Sequence, residues 1–102
     1  MSNLGKILKQ AQRMQAEMGR VQEELATLER SFTAGGMVEA VARGDNTVVR
    51  IRIKPEAVDP QDVEGLEDLI LTAVNGALDA VRTEAEQRVK QVTGGLNLPG
   101  LM

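Results

Sequence analysis

Apolar residues recur at alternating steps of three and four through the first third of the chain: Leu4, Ile7, Ala11, Met14, Met18, Val21, Leu25, Leu28 and Phe32. That spacing keeps one narrow apolar seam on one side of a helix for about four heptads. It predicts a first helix over residues 1–28, with Ser2 or Asn3 as N-cap and an interior of good helix formers, mainly Gln, Glu, Ala, Leu and Met. Gly5 and Gly19 share one position off the seam. Each costs about 1 kcal/mol against Ala, so this helix depends on tertiary support. A seam this long and narrow is built to lie along another helix.

The period then shortens to two. Phe32 lies in a short segment, residues 29–34, ended by Gly35-Gly36. Val38, Ala40 and Ala42 share a face, and Gly44-Asp45-Asn46 has hairpin-turn chemistry. Val49, Ile51 and Ile53 follow on one face of a strand whose other face carries Arg50, Arg52 and Lys54. Pro55 closes an antiparallel sheet expected over residues 29–54. Asp59-Pro60 reads as N-cap and first position of a second helix over residues 59–93. Asp62, Glu64, Glu67 and Asp68 crowd its first turns, where the helix dipole favours negative charge. Val63, Leu66, Ile70, Ala73, Ala77, Val81, Ala85 and Val89 form its seam, with enough alanine for a neighbour to come close. Residues 94–102 are an apolar tail, too rich in Gly and Pro to be helical.

The expected fold is therefore α+β in one domain over residues 1–102: long helix, small three-stranded antiparallel sheet, long helix. Three short strands cannot cover either helix, so both project beyond the sheet as an antiparallel arm. The second seam is the expected partner of the first. In that pairing the start of the first helix meets the end of the second.

Composition narrows the chemistry. The chain has no Cys and no His. That excludes disulfides and thiolate metal sites, and removes both the usual base near neutral pH and the commonest transition-metal ligand. The acids from Asp59 to Asp68 lack the alternate-position spacing of a calcium loop and serve as caps and dipole complement. No metal, cofactor, small-molecule substrate or enzymatic activity is expected. The strongest apolar run, residues 69–74, is too short to span a bilayer, and no signal-peptide pattern opens the chain. A cytoplasmic protein without membrane attachment is expected.

Net charge is −3, which argues mildly against nucleic acid, but the charge is segregated. Lys6, Lys9, Arg13 and Arg20 meet only Glu17 within the first 20 residues. Residues 55–81 hold seven acids and no base, and beyond them Arg82, Arg88 and Lys90 outnumber Glu84 and Glu86. Antiparallel pairing would gather both basic groups at the outer end of the arm. One reading of the stripe is phosphate contact; the other is the ordinary solvated face of a helix. Arg50, Arg52 and Lys54 are a candidate second phosphate-contacting patch, set against the wet side of a sheet or salt bridges to the acidic helix.

The layout and three segments resemble the YbaB/EbfC family of bacterial nucleoid-associated DNA-binding proteins. The segments are Leu8-Lys9-Gln10-Ala11-Gln12-Arg13-Met14-Gln15, then Leu66-Glu67-Asp68-Leu69-Ile70 with Ala73-Val74-Asn75, and the tail Gly94-Gly95-Leu96-Asn97-Leu98-Pro99-Gly100-Leu101. The resemblance implies a tweezer-like homodimer, double-stranded DNA as partner, a nucleoid location, and neither enzymatic activity nor cofactor. It favours the phosphate-contact reading and makes Lys6, Lys9, Arg13, Arg20, Arg82, Arg88 and Lys90 the candidate DNA-binding residues. Single-strand binding by base stacking needs aromatic platforms, and Phe32 is the only aromatic. Duplex binding through phosphates is what remains. The rival reading is a non-enzymatic scaffold whose helix seams pair with a partner protein.

Overall fold

A computed structural model describes residues 2–94. Its elements are α1 (Ser2–Thr27), β1 (Glu29–Ala34), β2 (Val38–Arg43), β3 (Thr47–Ile53), a 3-10 turn (Pro55–Ala57) and α2 (Val63–Gly94). This is the expected α+β order of helix, three-stranded antiparallel sheet and helix. The tail expected over residues 94–102 lies outside the described residues, save that Gly94 closes α2.

The strands form a meander in the order β1-β2-β3. β1 pairs with β2 from Glu29 opposite Arg43 to Ala34 opposite Val38. The β1–β2 turn needs two left-handed residues in succession, supplied by Gly35 (φ 56°) and Gly36 (φ 68°). In the β2–β3 turn Asn46 takes φ 67°, and the Asp45 carboxylate accepts from the Thr47 amide and hydroxyl. Gly44 sits where the end of α1 meets this turn: a Cβ there would lie 1.9 Å from the Leu25 carbonyl oxygen.

The core is made of small side chains. Ala34 of β1 and Val38, Ala40 and Ala42 of β2 bury against Ala73, Ala77 and Val81 of α2, so the helix rests close on the sheet. Phe32 belongs to this layer and not to the helical seam. It stands opposite Ala40 in β1, with its ring over Gly76 of α2. The three-and-four spacing happened to reach it, but β1 pairs along its whole length and starts a new period at Glu29.

Two further expectations change. A bulge at Val41/Ala42 pairs Val41 with Arg50 but Ala42 with Val48, leaving Val49 unpaired. Val48, Ile51 and Ile53 therefore share the core-side face, in place of Val49, Ile51 and Ile53. α2 lies over β1 and β2 and barely reaches β3, so these three side chains stay exposed. The second helix also starts later than residue 59. Asp59 caps a turn, its carboxylate accepting from the Gln61 amide, and the Asp62 amide donates to the Asp59 carbonyl. Asp62 is the true N-cap, accepting from the Gly65 amide at 3.0 Å.

α1 and α2 do run antiparallel, but they overlap only in part. Arg88 reaches Glu24 at 3.1 Å, and Val21 and Val92 are buried nearby. Six residues of α2 remain beyond Arg88, which brings Gly94 level with about Met18. Among the described residues no other element runs along the rest of α1, and the molecule extends 74 Å along its longest axis, 26 and 15 Å along the others. The seam is thus covered from about Met18 to Leu28 and bare at Leu4 and Ile7.

Candidate nucleic-acid interface

The lone stretch of α1 carries Lys6, Lys9 and Arg13. Steps of three and four place them on one side, opposite Leu4, Ile7 and Ala11. All three cations are exposed, and no ion pair among the described residues engages them. Long side chains on a bare helix, free of carboxylate partners, keep their donors available to an anion.

The remaining candidates are placed differently. Arg20 donates to Glu24 at 2.6 Å, one turn along α1. Arg82 lies 3.8 Å from Asp79 in an exposed i,i+3 pair. Lys90 is exposed and outside every ion pair among the described residues. Arg88 is half-buried, held by Glu84 at 2.9 Å and by Glu24 at 3.1 Å. These contacts, Glu84 first, raise its pKa. The helix register also separates the two basic groups that antiparallel pairing was expected to unite. Lys90 lies level with about Gln22, so Lys9 is roughly 20 Å farther out along α1. The positive charge is strung along the arm and is densest at its tip.

Arg30 and Glu24 had no reading in the sequence and Glu84 entered only the charge balance, yet they join the arm to the sheet. Arg30 reaches Glu84 at 3.3 Å, and Glu84 holds Arg88, which in turn holds Glu24. The Glu84 carboxyl is kept below the ordinary carboxylate range by the Arg88 hydrogen bond first and by Arg30 next. Arg30 shares the core side of β1 with Phe32, and that alternation was its only signal. Glu24 lies 64 residues from Arg88, beyond the reach of any local pattern.

The strand patch meets acids of the sheet itself, not of the helix. Arg50 and Arg43 lie 3.6 and 3.7 Å from the two Glu29 oxygens, and Arg52 stands opposite Glu39. Lys54 follows β3, its amide donating to the Met37 carbonyl. Among the described residues no group of His, Cys, Asp or Glu has the geometry to hold a metal ion. None of their helices is long and apolar enough to cross a membrane.

The fold is thus a small sheet carrying a helical arm whose far end bears exposed cations. The chain belongs to the YbaB/EbfC DNA-binding family, whose model matches residues 1–96. That family is a non-enzymatic class. Over 100 residues the chain is 50% identical to a nucleoid-associated protein of Pelotomaculum thermopropionicum, covering 97% of this chain and 95% of that one. It is 48% identical over 100 residues to a nucleoid-associated protein of Clostridium kluyveri, covering 97% and 88%. The crystal structure of the uncharacterized protein HP0035 of Helicobacter pylori shares the fold, with a TM-score of 0.61 over 76% of this chain and 90% of that one, at 20% identity.

Proposed function

We propose that the protein is a nucleoid-associated protein of the cytoplasm that grips double-stranded DNA as a homodimer. Basic helix arms would contact the phosphate backbone, and the complex would organise the chromosome or modulate gene expression. The observation that carries this reading is the overhang of α1 beyond α2, where Lys6, Lys9 and Arg13 share one exposed side of the helix. Exposed cations on a rod match a line of phosphates, and backbone contacts need no aromatic platform. Lys90 and Arg82 extend the same arm toward the sheet, while Arg20 and Arg88 act mainly by holding the arm straight through their carboxylates. Arg50, Arg52 and Lys54 are a weaker second surface, because Glu29 and Glu39 offset much of their charge.

The homodimer rests on β3, an edge strand whose Val48, Ile51 and Ile53 stand uncovered beside the core. A second copy covering this face would leave two arms projecting as tweezers, and two tips on one duplex bind with avidity. Gel shifts with unrelated duplexes over a salt series test the proposal. A dimer neutralising on the order of six phosphates loses about a thousandfold in affinity between 50 and 200 mM salt. Failure to bind at low salt, or affinity indifferent to salt, would overturn it. Sedimentation of the pure protein tests the dimer, and a lone monomer there would favour the scaffold reading.

A further inference from the structure

We propose that the far end of α1 pairs antiparallel, through its apolar stripe, with the same end of α1 in a second copy of this chain. The pairing itself needs no DNA; its consequence, the joining of two duplexes, rests on the function proposed above. Among the described residues nothing covers Leu4, Ile7 and Leu8, which are 65%, 59% and 56% exposed. Val21, on the same seam, is 3% exposed beneath α2. The stripe therefore continues an interface that already joins two helices, with its three-and-four spacing unbroken through Ala11 and Met14.

The residues beside the stripe point to a like helix as the occupant. In an antiparallel pair centred near Lys9, Leu4 falls opposite Met14 and Ile7 opposite Ala11, and two-fold symmetry makes each contact twice. Leu8 then meets its own copy on one flank of the pair, and Gln10 meets its own copy on the other. Such flanking positions usually carry the charges that select a partner, but here they are Asn3, Leu8, Gln10 and Gln15. A foreign helix with charged flanks would find no opposite charge to meet. Two copies of α1 meet there without repulsion.

Lys6, Lys9 and Arg13 lie on the side of α1 away from the stripe. Pairing leaves them open and turns the two cationic sides outward, one on each face of the pair, where each can hold its own duplex. The contact runs only about 15 Å along the helix, from Leu4 to Met14. It falls short of the roughly 1,200 Å² that a stable specific interface buries, so it is weak between free molecules. It becomes effective where DNA holds many arms at high local concentration.

The chain has no native Cys, so single thiols report the pairing. At high protein concentration without DNA, a short bis-maleimide should link Gln10→Cys chains in pairs about tenfold more than Ala16→Cys chains, whose thiol lies on the opposite side of α1. Adding Ile7→Gln/Leu8→Gln, which keeps helix propensity, should remove that roughly tenfold excess. With DNA, a duplex on beads should retain a second, fluorescent duplex through the unsubstituted protein. Ile7→Gln/Leu8→Gln alone should bind one short duplex within about twofold of the unsubstituted protein, yet retain the second about tenfold less. Equal linking of the two cysteine variants would assign the stripe to another occupant and overturn the proposal. Linking indifferent to the glutamines, or full retention of the second duplex by the glutamine variant, would also overturn it. The expected linking without duplex binding by any form would overturn the DNA reading and uphold the pairing.

Discussion

Gly76 shows how much a single missing methyl group decides here. A Cβ at that position would stand 2.4 Å from the Phe32 ring, so glycine is what lets the only aromatic side chain settle between β1 and α2. Gly76→Ala should lower stability by about 1–3 kcal/mol, the usual cost of overpacking, in urea unfolding. The charged network is equally residue-specific. Glu84 in the folded protein has a carboxyl pKa lowered by Arg88 and then Arg30. Its contribution is complete above the unfolded value, about 4.3, and disappears as pH falls through the lower folded one. Glu84→Gln should therefore flatten the decline of stability with acid below that pH, as followed by urea unfolding across a pH series. The stripe of Lys6, Lys9 and Arg13 was legible as sequence, because helical spacing alone defines it. The partners of Arg88 were not, because Glu24 comes from the other helix.

At the scale of elements, periodicity located both helices and all three strands, and local hydrogen bonding then corrected their details. The pattern Val49, Ile51 and Ile53 is a regular alternation, but the bulge opposite Val41 and Ala42 places Val48, though still exposed, on the core-side face instead of Val49. Asp59-Pro60 has the residue types of a helix start, yet Asp62 also has them and is the one that receives the Gly65 amide. Gly19 is a local conflict that nothing in the fold requires. An added Cβ there meets no atom within 4 Å. Gly19→Ala should raise stability by about 1 kcal/mol through helix propensity, visible as a higher urea midpoint with unchanged slope. Gly44→Ala should do the opposite, since its Cβ would strike the Leu25 carbonyl and the turn would have to leave α1.

For the whole molecule, the decisive property is length. The 74 Å axis exceeds what either helix spans alone, because the helices overlap by only part of their length. Replacing Lys6, Lys9 and Arg13 with Ala should weaken binding to all duplexes alike and make it less dependent on salt, by gel shift over the same salt series. Ile51→Asp places a charge on the uncovered face of β3. It should convert the proposed dimer to a monomer in sedimentation while leaving circular dichroism unchanged, and should weaken DNA binding if the second arm contributes as proposed.

The sequence alone determined the order of elements, the faces of both helices, the separation of basic from acidic segments, and the exclusion of His- and Cys-based chemistry. Each of these is a local property, set by residue type and by spacing along one chain. Only the tertiary structure decided how far α2 runs along α1, which cations stay free, and how much of the seam is covered. Those depend on where α2 comes to rest on a sheet of alanines and valines and on ion pairs 54 or 64 residues apart. A period reveals that a face is apolar; contact between distant segments determines what lies against it.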